Sequence, residues 1–428
     1  MSFVFSSHWK YLPIFGGFLL HISVGYFYSA GHIMPHINKY MKNENKTSTW
    51  IFGSTLLGMG AAMSLGGYVE MKIGSSLTVL IGGWIMSANI CLMCVTMTCG
   101  LTVVILTYGL FAGFGTGLVY GVALGVPLKI VKKRVGLFLG VVVSGFGVSA
   151  TIFDYLQNVL SSDYTNLPLS FLIMGCIYAV IQLIGAILLK KKANENDLTI
   201  QSNETSFNYF EIFLNSKSKM EFKPHEILLE LDFWILWITF FLNAIGVNFL
   251  TTLYNEYYHE LFGAQHLVTI SISGAAFNCL GRIFWGFIID KKPFKITMVI
   301  MTVGTSILMA LFSTISLMNL TGKMNEIVFG IIFCAINFFQ SGNFCIFPFM
   351  CAQLYGVKYF VCNYGMLFTA CSVACTIVNI ISMNISREKD NLKFVFVAGA
   401  ALSILSTLMT LVYRGKSLII RTNALLIS

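Results

Sequence analysis

Asn278-Cys279-Leu280-Gly281-Arg282-Ile283-Phe284-Trp285-Gly286 lies inside one long apolar run, Leu267 to Ile289. A helix needs about 20 residues to cross a bilayer, so this run is long enough to span. Arg282 then sits well inside hydrocarbon. A cation at that depth costs about 2.5–3.5 kcal/mol on the insertion scale unless it faces a cavity or a partner. Packing alone is a poor reason to keep such a residue, so Arg282 is expected to meet an anion.

The same span length recurs along the chain. Twelve runs qualify, at 11–34, 49–67, 77–97, 101–125, 136–158, 168–189, 232–254, 267–289, 295–318, 327–349, 361–384 and 393–413. Between the sixth and seventh lies a polar break, 190–231. It opens on Lys190-Lys191-Lys192 and continues in Asn, Glu, Ser and Lys, the composition of a solvated linker. Six spans, a linker and six spans predict an all-α polytopic membrane protein with twelve transmembrane helices. Its expected units are a six-helix bundle at 1–189, a cytosolic linker at 190–231 and a second six-helix bundle at 232–428.

Composition agrees. Of 428 residues, 56% are hydrophobic and 11% charged, whereas a soluble domain is nearer a quarter charged. That excludes a soluble enzyme. The net charge of +9 fits basic loops at a membrane surface and gives no reason to expect nucleic acid as a partner. The first run is too long for the apolar core of a signal peptide, and no Arg-rich, Ser-rich leader precedes it, so no cleavable leader is expected. Cys91 and Cys94 form a C-x-x-C, but inside an apolar run without a neighbouring histidine they read as small packing residues.

Lysine and arginine set the orientation. With the N-terminus inside, the inner loops and tails hold Lys72, Lys129, Lys132, Lys133, Arg134, the linker lysines, Lys291, Lys292, Lys295, Lys358 and Arg414. The outer loops hold far fewer. Both termini and the linker are therefore expected in the cytosol, in the plasma membrane or an organelle membrane.

An internal repeat supports duplication. Gly286-Phe287-Ile288-Ile289-Asp290-Lys291 follows the eighth span, and Gly67-Tyr68-Val69-Glu70-Met71-Lys72 follows the second. Each pairs a glycine with a charged turn in a very short loop. An acid there can bond a helix N-terminus or a basic partner and let go when helices slide. Gly67, Lys72, Gly286, Asp290 and Lys291 are therefore candidate gating residues. The pair resembles the loop signature of the major facilitator superfamily, G-x-x-x-D-[RK]-x-G. The second copy matches through Asp290 and Lys291, with Pro293 where the last glycine would fall. The first copy has Met71 at the acidic position and Glu70 one residue early.

Further stretches narrow the resemblance. They are Gly113 to Gly121 in the fourth span, Gly136 to Gly147 in the fifth, Asp232 to Trp237 at the start of the seventh, Arg282 to Asp290, and Asn363-Tyr364-Gly365. Together they resemble the oxalate:formate antiporters and the related monocarboxylate transporters. The resemblance implies the major facilitator fold of two six-helix bundles, alternating access, and a small organic anion as substrate. In the resembled antiporters the arginine of the eighth span works with a lysine of the eleventh. The matching position here is Cys371, so one carboxylate is expected and not two. In proton-coupled relatives an aspartate precedes the arginine by one turn; here Asn278 stands there, able to bond Arg282 or substrate but not to carry a proton. His32 falls where those relatives carry a functional lysine, and Asp154 is a second titratable candidate for proton coupling. Tyr28 and Tyr120 are candidate substrate contacts, because each offers a hydroxyl within an apolar wall.

The leading expectation is a secondary transporter for small monocarboxylates such as pyruvate, lactate or formate, in symport or antiport, with protons a second candidate partner. Its transport unit is expected to be a monomer in the lipid bilayer. Two alternatives stand beside it. One is a carrier of the same fold for an amino acid or a drug-like solute; the other is a receptor that kept the fold. No G-x-x-x-x-G-K-[ST] supports an ATP-driven pump. No metal-ligand cluster or nucleophile–base set supports an enzyme, and no cofactor is expected.

Overall fold

A computed structural model describes residues 11–26, 36–42, 49–131, 133–160, 166–190, 221–263, 266–315, 322–385 and 389–413. These form helices α1 (Leu12–Val24), α2 (Thr49–Ile73), α3 (Ser75–Thr96), α4 (Leu101–Ile130), α5 (Val135–Leu160) and α6 (Leu167–Leu189). After a short turn at Pro224–Ile227 come α7 (Leu231–Phe262), α8 (Leu267–Lys291), α9 (Phe294–Thr314), α10 in two pieces (Gly322–Gln340 and Asn343–Tyr355), α11 (Phe360–Asn384) and α12 (Lys389–Val412). No strand occurs among the described residues, and nine of these helices are long and apolar enough to cross a bilayer.

Twelve helices occupy the twelve expected spans, and their ends differ for physical reasons. α7 runs two turns past residue 254, where the sequence turns polar at Asn255-Glu256-Tyr257-Tyr258. Those turns are buried by partners hydropathy does not reveal. Tyr258 donates to Glu326, and the Tyr257 hydroxyl lies 3.3 Å from the Ser313 carbonyl. α10 breaks at Ser341-Gly342 and restarts at Asn343, with Pro348 inside its second piece. Pro348 has no N–H to give the Phe344 carbonyl, so the ladder loses a bond within the second piece as well. α4 contains a π-helical stretch, Ile105–Phe111, and α1 is described only to Val24, with Gly25 and Tyr26 after it.

The helices pack in two groups. In the first, α2 and α3 lie on α4, α3 on α6, and α1 on α4, α5 and α6; in the second, α12 lies on α7 and α9, α8 on α10, and α11 on α7. Two long seams join the groups, α5 with α8 and α2 with α11. If α2 corresponds to α8 and α5 to α11, as the repeated loop implies, these are one seam used twice. Both need small residues to bring backbones together. A Cβ on Gly136 would lie 2.5 Å from the Gly286 carbonyl oxygen, so any larger residue there must push α5 off α8.

Outward faces carry large apolar side chains such as Trp84, Leu92, Val180, Ile187, Ile307, Phe394 and Leu408, the inverse of a soluble protein. Inside each group, small hydroxyl and amide side chains tie helices across. Ser87 donates to Gln182 at 2.8 Å, Ser306 to the Ala400 carbonyl at 2.9 Å, and Thr302 meets Thr407 at 2.7 Å. Each such bond contributes about 0.6 kcal/mol in a membrane helix bundle.

Candidate functional site

Arg282 lies halfway along α8, with 1% of its surface exposed. Its side chain runs back toward the helix N-terminus, as long helical side chains do, and reaches Asn278 one turn earlier. Nε donates to Asn278 Oδ1 at 2.9 Å, and Nη1 donates to the Val143 carbonyl of α5 at 2.8 Å. The guanidinium is held between two rings, 5.4 Å from the centroid of Phe146 and 4.9 Å from that of Phe344. Aromatic faces attract a desolvated cation by about 2 kcal/mol. Three elements therefore fix one charged group: its own helix through Asn278, α5, and the second piece of α10.

This group borders a narrow central cavity of about 20 Å³ between the two halves, room for about one water. From the first half, Phe52, Leu56 and Met59 of α2, Tyr120 of α4 and Phe146 of α5 form the wall. From the second, Val247, Asn248 and Thr251 of α7, Phe344, and Phe368 and Cys371 of α11 complete it. Arg282 supplies the charge of that wall. Tyr120, Asn248, Thr251 and Cys371 supply its other polar atoms, and the rest is aromatic or aliphatic. Closed to that size the space holds no organic anion, but its wall offers one a single charged contact and an otherwise apolar, π-rich lining.

The structure brings together Arg282, Tyr120 and Cys371, each singled out above, in one cavity wall. Asn278 is not in that wall; its oxygen is turned to Arg282, so it orients the cation. Tyr120 is more embedded than a simple lining residue, packing on His21, Phe146, Tyr364 and Phe368. Tyr28 and His32 lie outside the described residues. Asp154 lies on α5, toward the end away from Arg134, and its side chain is likewise outside the described set. Sequence reasoning missed Phe146, Phe344, Asn248 and Thr251. Phe146 did carry a signal, flanked as it is by Gly145 and Gly147; Phe344 follows the helix break at Gly342.

The candidate gating residues cluster at the basic end of the bundle, where α2–α3, α4–α5, α8–α9 and α10–α11 turn. Asp290 accepts the Gly136 N–H at 2.7 Å and the Leu137 N–H at 2.8 Å, both in the first turn of α5. A carboxylate of one half thus caps a helix of the other. Gly286 faces Gly136 beside it, and Lys291 lies over the Phe287 ring at 4.1 Å. The first copy is built differently. Gly67 packs against Cys362 of α11, and Lys72 is exposed. Glu70 turns to its own half, accepting from Lys129 at 2.8 Å and Ser75 at 2.6 Å. Gly74 makes the tight α2–α3 turn at φ +85°, which suits glycine; Pro293, at φ −57°, occupies the matching place after α8.

At the α11 end a carboxylate arrives from elsewhere. Glu221, just before the Pro224 turn, accepts the Lys358 N–H at 2.8 Å. The neighbouring Phe222 donates to the Tyr355 carbonyl at 3.1 Å and accepts from Asn363 at 3.0 Å.

Asp290→Asn removes the charge but keeps the shape. We expect it to weaken the α5–α8 closure by about 1–2 kcal/mol. The check is alkylation of Cys362, buried in the α2–α11 seam at the same end. Its rate should rise about tenfold; an unchanged rate means the Asp290 bonds do not hold that end shut.

Comparison with known proteins fits this geometry. A family model described as Major Facilitator Superfamily matches residues 14–379. The apicoplast pyruvate carrier 1 of Toxoplasma gondii is 23% identical, over 83% of this chain and 80% of that protein. The oxalate:formate antiporter of Oxalobacter formigenes is 27% identical, over 72% of this chain and 68% of its own. Among solved structures, the proton:xylose symporter XylE bound to 6-bromo-6-deoxy-D-glucose superposes with a TM-score of 0.72 at 13% identity, covering 94% of this chain and 95% of that one.

Proposed function

The chain belongs to the major facilitator superfamily, a multi-pass membrane transporter fold, and from that premise we propose that it carries small monocarboxylates such as pyruvate, lactate or formate by alternating access. The observation that carries this reading is the guanidinium of Arg282 in the wall of an aromatic cavity, with the uncharged Cys371 of α11 in the same wall. Guanidinium binds a carboxylate through two parallel N–H···O bonds, which orient it. A second carboxylate would find a thiol where a cation is needed. The pyruvate carrier and the oxalate:formate antiporter among the relatives support the substrate class.

In this reading residues 1–189 and 232–428 are the two rocking bundles, and 190–231 is a cytosolic linker with both termini on its side. Midplane sites between two halves are the rule for such carriers. Asp290 on the N-terminus of α5 and the Gly136–Gly286 contact form part of the gate at the basic end.

Reconstitution into liposomes tests it. Pyruvate, lactate, formate and oxalate are offered at two pH values, with unlabelled substrate inside. Uptake of the monocarboxylates well above oxalate is expected. Uptake of none of them, or oxalate as the best substrate, removes the reading.

A further inference from the structure

His21 is fully buried on α1, four residues past Gly17. Its Nδ1 lies 2.8 Å from the Gly17 carbonyl oxygen. A carbonyl only accepts, so Nδ1 carries the hydrogen, and in the neutral ring Nε2 is left with a lone pair. That Nε2 is buried and has no hydrogen-bond partner among the described residues. An orphaned buried acceptor is costly, and native proteins rarely keep one without a use. The ring sits 4.8 Å from Tyr120 and 5.5 Å from Phe146, centroid to centroid. Both rings are walls of the central cavity, and Phe146 also lies against the Arg282 guanidinium. His21 is therefore one aromatic layer behind the anion site.

We propose that His21 is the proton-binding residue of this carrier, taking one proton on Nε2 when a carboxylate sits at Arg282. The proposal rests on the monocarboxylate reading. An imidazolium one ring from a guanidinium, in a medium of low dielectric, is repelled. A carboxylate bound at Arg282 cancels that repulsion. Anion and proton then favour each other's binding, and by reciprocity each raises the other's affinity by the same factor. The proton comes from water on the side where the carrier opens, forms the N–H bond at Nε2, and returns to water on the other side. One carboxylate and one proton cross, and the protein's charge is restored.

The groups around His21 leave it this role. Among described residues, α4 presents Tyr120, α5 presents Phe146 and Gly145, and α6 presents Tyr178, which lies further along against Tyr26 and Phe153. Arg282 of α8 is the cation nearby. Histidine is the side chain whose ordinary titration range falls near neutral pH.

The test uses the purified full chain in liposomes with labelled pyruvate as probe. An inward gradient of one pH unit can accumulate pyruvate up to about tenfold, and the wild type should approach that. His21→Asn keeps a donor for the Gly17 carbonyl and removes Nε2. It should still exchange pyruvate for pyruvate, at a reduced and pH-independent rate, while its accumulation ratio falls to about 1 in place of that tenfold. Accumulation by His21→Asn at the wild-type ratio overturns the proposal. So does a wild type that exchanges pyruvate but ignores the gradient, a result that leaves the monocarboxylate reading standing. A wild type that moves no pyruvate overturns both.

A second measurement covers a variant that does not fold. Pyruvate added to the wild type in lightly buffered detergent should draw about one proton per protein from solution, as one titrating site requires. His32→Asn and Asp154→Asn should do the same. Absence of uptake, or its loss in either of those variants, overturns the assignment to His21.

Discussion

Arg282→Ala and Arg282→Lys each reduce pyruvate uptake at least about 100-fold, in protein that still elutes as a folded monomer. Two charge-assisted hydrogen bonds to a carboxylate contribute about 3 kcal/mol together, which corresponds to that factor. The lysine variant is the sharper of the two. It keeps the charge but not the planar fork, so it cannot hold Asn278 through Nε while offering two parallel donors to substrate. It also loses the flat surface that lies between Phe146 and Phe344. Folding of the alanine variant should survive, because removing a buried cation relieves a desolvation cost. Initial rates in liposomes, normalised to reconstituted protein, are the measurement. Rates within tenfold of wild type for both variants would take Arg282 out of the binding site.

Cys371→Lys should invert the preference between one and two carboxylates. Cys371 lies in the same cavity wall as Arg282, on α11. An ammonium there faces little water, so with a singly charged substrate it remains uncompensated, at a cost of several kcal/mol. With oxalate bound, each cation has its own carboxylate. Pyruvate uptake should fall more than about tenfold, and the oxalate-to-pyruvate ratio should rise at least about 100-fold, near 2.7 kcal/mol. Cys371→Met, similar in polarity and without charge, is the control and should leave the ratio near wild type. An unchanged ratio in the lysine variant would mean that the second carboxylate end does not reach α11.

Much of the architecture was legible before any coordinates. Spans announce themselves because a bilayer imposes a length, and Arg282 announces itself because hydrocarbon makes a cation conspicuous. Facing is harder. Membrane helices such as α4 and α7 are apolar on every side, so periodicity does not say which residues turn inward. Phe368 is therefore indistinguishable in sequence from the many phenylalanines that face lipid, and Phe146 and Phe344 are marked only by the glycines near them. Sequence gives His21 no direction for the same reason; only the packing of α1 on α4 and α5 sets it beside Tyr120. The extension of α7 escaped because hydropathy marks polar residues as loop, whereas Tyr257 and Tyr258 find their partners on α9 and α10. Glu70 was legible as out of register with its counterpart, and the geometry adds that it serves Lys129 instead of the opposite half.

Glu221 and Phe222 stand at the far end of the stretch that joins the two groups of helices. Every bond described for them, to Tyr355, Lys358 and Asn363, is made to the second group. These two residues thus hold to the second group, and the seams α2–α11 and α5–α8 join it to the first. Because both seams lie outside that stretch, residues 1–190 and 221–428 translated from separate messages are expected to pair in the membrane, and co-purification of the two pieces is the check.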